Sequence, residues 1–262
     1  MWGAIIGDLS GSIYEFGQTK KIESIRPKEL IDSNAFFSDD SILTVAIANA
    51  IQTDGDYEKY LRQYGKIYQN YSPSFKPYFK NSFSPGFTKW LNSDNQGNST
   101  GNGALMRISP IGFCCSTEDE VKKNAILATI PSHNSKEAIV YSTLVALIIF
   151  YGKNGVPKSE ILKKLNIKLK YNKFDKFNTT CSQTFDNCIF SAFTSNNFNE
   201  SIYKILSFGG DTDTNACITG AIAESLYGIT PALIKQAQNY IPHQFVEVIK
   251  KEYHIEKDIA DR

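Results

Sequence analysis

"SFGGDTDTNACITGA", residues 207–221, decides how the rest of the chain is read. Gly209 and Gly210 lead into Asp211, Thr212, Asp213 and Thr214, and then come the small residues Ala216, Cys217, Gly220 and Ala221. A helix this smooth belongs inside a protein, packed closely against another backbone. Its leading carboxylates either cap it or hold something. Asp211 and Thr214 share a face if helical, whereas Asp213 points elsewhere unless it lies in the turn before the helix. Oxygen ligands diverging from one turn suit two neighbouring ions better than one.

Two further acidic stretches pair with this one. In "MWGAIIGDLSGSIYEF", residues 1–16, Gly3, Gly7 and Gly11 recur every four residues and form one row on a helix, where a second backbone can approach. Each interior glycine costs about 1 kcal/mol against alanine, so packing must offset it. Asp8 and Glu15, seven apart, share a face, and the plain reading of that face is a wet edge. In "FFSDDSILTVAIANAIQ", residues 36–52, Ser38 is a candidate N-cap, and Asp39 and Asp40 suit the positive end of a helix dipole. The helix that follows is apolar all round. Its first turn is therefore expected to be buried, where adjacent carboxylates need a cation or a network of donors. Oxygen ligands without His or Cys select hard cations, Mg²⁺ first and then Mn²⁺ or Ca²⁺.

Composition sets the bounds. The 262 residues suffice for a substantial core, and 42% hydrophobic against 21% charged reads as globular. A net charge of +1 gives no electrostatic case for nucleic acid or an anionic membrane. The apolar N-terminus lacks a basic leader and is too short to span a bilayer, so it reads as a buried helix. Five cysteines without a C-x-x-C pair point to free thiols in a reducing cytoplasm. None of the three histidines stands at zinc-ligand spacing from a cysteine.

Helical periodicity runs through most of the chain. Residues 57–71 place Tyr57, Tyr60, Leu61, Tyr64, Ile67, Tyr68 and Tyr71 on one stripe, assigned with the cysteines to the core. A buried helix is expected from about Ser135 to Gly152, and shorter ones in "KSEILKKLN", "NESIYKILSFG" and "PALIKQAQNY". "YSPSFKPYFKNSFSPGF", residues 71–87, reads as a long surface loop, and "KLKYNKFDKFNTT", residues 168–180, as a second polar connection. Strand patterns are scarce. One all-α domain over residues 1–262 is expected. In "GNSTGNGALMR", residues 97–107, the glycines leave backbone N–H groups free and a helix starts near Ala104. That is either an anion site suited to a pyrophosphate or an ordinary Gly/Asn/Ser loop.

The ordered set "GAIIGDLSGSIYE", "FSDDS", "GNGALMRISPIG", "SHN" and "GGDTDTNACITGAIAESLYG" resembles the ADP-ribosylglycohydrolases, from residue 3 to residue 228. The resemblance implies an all-α orthogonal helical bundle with a dinuclear centre of two Mg²⁺, or Mn²⁺. It implies metal ligands at Ser38, Asp39, Asp40, Asp211, Asp213 and Thr214, with Ser38 standing where the family usually has threonine. It assigns acid–base work to Glu15, with Asp40 beside it as a catalytic carboxylate. Ser99, Thr100, Gly101, Asn102 and Gly103 would line the ADP-ribose cleft, and His133 would help bind the ribose–phosphate part. Some members carry an aromatic where Thr100 stands. Phe83 or Phe87 is the expected replacement for adenine stacking.

The function so implied is Mg²⁺-dependent hydrolysis of the glycosidic bond between ADP-ribose and a modified arginine, a modified serine or a small molecule. A cytoplasmic monomer whose partners are the ADP-ribosylated substrate and the ADP-ribose product fits that function. The alternatives are a non-catalytic ADP-ribose-binding or structural protein on the same fold, and a Mg²⁺-dependent phosphohydrolase. A retired enzyme has no reason to keep Glu15, Asp39, Asp40, Asp211 and Asp213 together, which favours the enzyme.

Overall fold

The computed structural model describes residues 1–15, 27–73, 82–172 and 177–260. At its centre, α1 (Trp2–Gly11) lies on the long helix near the other end of the chain, Thr212–Tyr227. The glycine row makes this possible. A Cβ on Gly3, Gly7 or Gly11 would stand 2.0–2.2 Å from the carbonyl oxygens of Gly220, Ala216 and Thr212. The row thus matches a second four-residue register on the partner helix, backbone against backbone. Thr212 Oγ1 adds a bond to Gly11 O at 2.9 Å. Gly7→Ala should therefore destabilise by about 3 kcal/mol or more, because the obstacle is backbone and cannot swing aside. Urea unfolding measures it, and an unchanged midpoint would contradict this packing.

Around that pair stand α2 (Asp39–Ile51), α3 (Tyr57–Tyr68), α4 (Pro85–Leu91), α5 (Gly103–Met106), α6 (Ser109–Cys114), α7 (Glu118–His133), α8 (Lys136–Lys153), α9 (Lys158–Lys164), α10 (Cys181–Phe193) and α11 (Phe198–Leu206). The central Thr212–Tyr227 helix is α12, followed by α13 (Pro231–Ala237), a 3₁₀ turn at Gln238–Tyr240 and α14 (His243–Ala260). No strand occurs among the described residues, only the single bridges Asn98–His133 and Gly101–Thr180. The expected all-α fold is what is found. No helix among the described residues is long and apolar enough to cross a membrane.

The helix starts follow local chemistry. Ser38 Oγ accepts from Asp40 N, and Ser135 Oγ from Ala138 N, as the sequence suggests. Thr117 with Glu120 and Thr180 with Gln183 form capping boxes that open α7 and α10. Three expectations are corrected. The tyrosine stripe loses only Ile67, which is 61% exposed: the buried face of α3 runs through Tyr57, Leu61 and Tyr64 to Tyr68, which packs on Phe37 and Phe245, and Ile67 falls beside that face. The expected loop over 71–87 ends in α4, capped by Ser84 with Pro85 in the first turn; its residues 74–81 lie outside the described set, as do 173–176 of the second polar connection. The first helix stops at Gly11, so Glu15 lies in the turns beyond it and shares no helical face with Asp8. All five cysteines are free thiols and, except for half-buried Cys114, buried.

Candidate active site

The N-termini of α2 and α12 meet beside the C-terminal end of α1, so carboxylates on three elements converge at the positive ends of two helices. Gly209 and Gly210 have φ of 71° and 76°, a conformation that side chains resist, and this sharp entry aims Asp211 into the same space. Asp211 occupies the non-helical cap position (φ −75°, ψ 80°). The i, i+2 pair Asp211–Asp213 can therefore converge, and the expected divergence of Asp213 does not occur. Thr212 is the residue that turns away, toward α1.

Two acidic groups result, each with carboxylate oxygens within 4.8 Å of one another: Asp8 with Asp40 and Asp213, and Glu15 with Asp211 and Asp213. Asp213 belongs to both. Asp39, half-buried, faces the same cleft. Asp8 is fully buried, so the wet-edge reading fails. Its Oδ2 accepts from the backbone N–H of Ser38 and Ser41 at 2.9 and 3.1 Å and from the Ser41 hydroxyl, while Oδ1 accepts from Ser38 Oγ at 2.9 Å. One carboxylate of α1 thus fixes the start of α2. Ser38 Oγ also reaches Asp40 Oδ2 at 3.1 Å, and Thr214 Oγ1 reaches the same oxygen at 3.2 Å. The other oxygen, Asp40 Oδ1, is buried with no partner among the described residues.

Among the described residues no Lys or Arg ion-pairs with any of these carboxylates. Burial, and then repulsion from Asp213, pushes Asp8 up to about 7. Burial and the neighbouring aspartates push Glu15 up to about 12, and Asp39, Asp40 and Asp213 are also held well above the usual range. An all-oxygen donor set with an orphaned buried oxygen and uncompensated charge fits a hard divalent cation. A sign follows for the metal-free protein. Between its unfolded value of 3.8 and its folded value of about 7, Asp8 binds more protons folded than unfolded, so stability falls as pH rises through that window. Melting temperatures in EDTA should decline over it, and saturating Mg²⁺ should flatten the decline. An EDTA series flat across that pH range would contradict the charge frustration described here.

The acidic groups floor a cleft of about 540 Å³. Glu15, Asp39, Asp40, Asp211, Asp213 and Thr214 line it, as do Ser99, Thr100, Gly101, Asn102, Gly103 and His133; Ser38 stands behind, fully buried. The 97–103 loop is strapped at both sides. Gly97 N–H donates to Pro131 O and Ser99 N–H to Ser132 O, using carbonyls that the end of α7 leaves unpaired. Asn102 N–H donates to Thr179 O, and Thr100 O accepts from Cys181 N–H. Gly101 N–H is taken by Ser99 Oγ. The expectation of free glycine N–H groups therefore fails at Gly97 and Gly101. The loop instead delivers side chains: Asn102 Nδ2 donates to Asp211 Oδ2 at 2.7 Å.

Several contributors escape the sequence reading. Asn178 accepts from Asp211 N–H at 2.9 Å and bonds Thr184 and Asn215, completing a buried amide network behind Asp211. Arg107, wholly buried, reaches Ser132 beside His133. Phe177, half-buried, joins Phe83 and Phe87 on the cleft wall; the latter two are more deeply buried and stack on each other at 5.0 Å. The lone arginine in the apolar run 104–113 was the one signal available for Arg107; nothing local marks Asn178.

Fold and site define an all-α protein with an acidic cleft suited to a hard cation and a polar ligand. The chain belongs to the ADP-ribosylglycohydrolase family, whose model matches residues 1–262, and it is a glycohydrolase acting on ADP-ribosylated substrates. It is 26% identical to a protein of Acanthamoeba polyphaga mimivirus provisionally named an ADP-ribosyl glycohydrolase, over 86% of this chain and 84% of that one. It is 22% identical to the ADP-ribosylarginine hydrolase Tri1 of Pseudomonas putida (strain GB-1), over 97% of this chain and 74% of that one. A solved ADP-ribosylglycohydrolase-related protein complex shares the fold, with a TM-score of 0.66 at 17% identity, over 94% of this chain and 89% of that one.

Proposed function

We propose that the cleft hydrolyses the N- or O-glycosidic bond joining ADP-ribose to an arginine or serine side chain or to a small molecule, with two Mg²⁺, or Mn²⁺, held by Ser38, Asp39, Asp40, Asp211, Asp213 and Thr214. The observation that carries this reading is the pair of acidic groups sharing Asp213, with Asp40 Oδ1 left unpartnered. When bound, such cations supply charge that orients ribose hydroxyls and acidifies a water.

The chain's own groups do the rest. Glu15, half-buried at the mouth of the acidic groups, moves the proton between the water and the leaving nitrogen or oxygen. Asp40 holds its Oδ2 to Ser38 and Thr214, which keeps Oδ1 available for a cation or a proton. Asp8 and Asn178, themselves outside the reaction, hold the two ligand-bearing helix starts in place. The 97–103 loop and His133 form the ribose–phosphate side of the cleft. Phe83 and Phe87 line the cleft as expected, and Phe177, half-buried on the same wall, is a third ring available to face the adenine.

Arginine-linked substrates come first, since the Pseudomonas relative is named for them. The test is a matched panel of arginine- and serine-linked ADP-ribosyl peptides, assayed for free ADP-ribose with Mg²⁺ and with EDTA. Release from at least one linkage, abolished by EDTA, is expected. Release that is indifferent to EDTA would overturn the metal assignment, and no release from any linkage would overturn the substrate assignment.

A further inference from the structure

Arg107 sits between α5 and α6 with no exposed surface, and its Nε and Nη1 have no partner among the described residues. A buried, part-satisfied guanidinium is costly, and packing alone does not call for one. Its Nη2 donates to Ser132 Oγ at 2.8 Å and, at 3.4 Å, to Ala128 O. Ser132 Oγ in turn lies 2.7 Å from His133 Nδ1.

The direction of these bonds follows from donor counting. A guanidinium has donors only, so the serine oxygen accepts from it. A serine oxygen can accept twice, so its one proton decides the direction, and among the described residues Nδ1 is the only acceptor that proton meets. An Nδ1 that accepts leaves the proton of a neutral imidazole on Nε2. Burial, and next the Arg107 charge, holds His133 well below its usual value, which keeps the ring neutral. Burial lowers Arg107 only to about 10, so at neutral pH it remains charged. Nε2 points at the Gly101–Gly103 turn, 3.5 and 3.6 Å from where a Cβ on either glycine would stand, and neither residue has a side chain to cover it.

We infer that Arg107, acting through Ser132, is a positioning residue that locks His133 in its Nε2–H tautomer and so presents a fixed, uncharged donor to the cleft. The acceptor it fits is an oxygen of the ribose–phosphate part of the substrate, and this last step rests on the function proposed above. A charged imidazolium would bind phosphate more strongly but less selectively. A neutral donor of fixed direction favours one oriented oxygen.

The imidazole ¹⁵N spectrum of the metal-free, ligand-free protein tests the relay directly, since the chain has only three histidines to assign. At neutral pH, His133 should show an unprotonated-type Nδ1 and a protonated-type Nε2. Ser132→Ala should turn this into a mixture of tautomers and weaken ADP-ribose binding about tenfold, the worth of one well-placed neutral hydrogen bond. Arg107→Met, checked for folding by circular dichroism, should also release the tautomer. An Nδ1–H or doubly protonated ring in the wild type, or an unchanged spectrum in Ser132→Ala, would overturn the relay. If the spectra behave as stated while His133→Ala binds ADP-ribose like the wild type, the relay stands and the assignment of His133 to the substrate fails.

Discussion

Glu15→Gln should lower turnover of an ADP-ribosylated peptide on the order of a hundredfold or more, with ADP-ribose affinity nearly unchanged. The substitution keeps shape and hydrogen-bonding reach and removes only the titrating proton. Glu15 stands with Asp211 and Asp213 at the cleft, and burial plus its acidic neighbours raise it far above an ordinary glutamate. Cations in the cleft would offset part of that repulsion and bring the group back toward a value at which it can both give and take a proton. Single-turnover rates and calorimetric binding of ADP-ribose separate the two effects. Equal losses in both would mark Glu15 as a binding residue, and no loss in either would remove it from the chemistry.

Asp213→Asn should be at least as damaging, on the order of a thousandfold in turnover, because Asp213 is the one carboxylate common to both acidic groups. The same variant should be more stable than the wild type when both are metal-free. Asp213 repels Asp8, Glu15, Asp39 and Asp40, and its amide would not. In EDTA the melting temperature should rise, and in saturating Mg²⁺ the gain should shrink or reverse, since the wild type alone would recover full cation binding. A variant less stable than the wild type in EDTA would mean that Asp213 is held by favourable contacts and is not a frustrated ligand.

How much of this was legible in the sequence depends on how local each signal is. The row Gly3–Gly7–Gly11 and the small residues of α12 could be read because close helix contact demands a fixed period, and the two rows do meet. Ser38 as a cap, Ser135 at the start of α8 and the buried α2 were legible for the same reason. Asp8 was misread because the donors that bury it, Ser38 and Ser41, lie thirty and thirty-three residues further on. The 97–103 loop looked open because its partners are the last carbonyls of α7 and the start of α10, which no local pattern announces. Helix α10 could have been found, since Thr180 and Gln183 spell a capping box. The Arg107–Ser132–His133 chain could not, because Arg107, between α5 and α6, meets the last turn of α7 twenty-five residues further on through one hydroxyl.

The central claim is that the acidic residues at the starts of α2 and α12, with Glu15 beside them, are the metal-dependent heart of a glycohydrolase. Anomalous diffraction from a crystal soaked in Mn²⁺ tests it most directly. The expected result is anomalous density among Asp39, Asp40, Asp211 and Asp213, removed by Asp213→Asn. Density at a cysteine or histidine instead, with the acidic cleft empty in a crystal that has taken up Mn²⁺, would contradict the account.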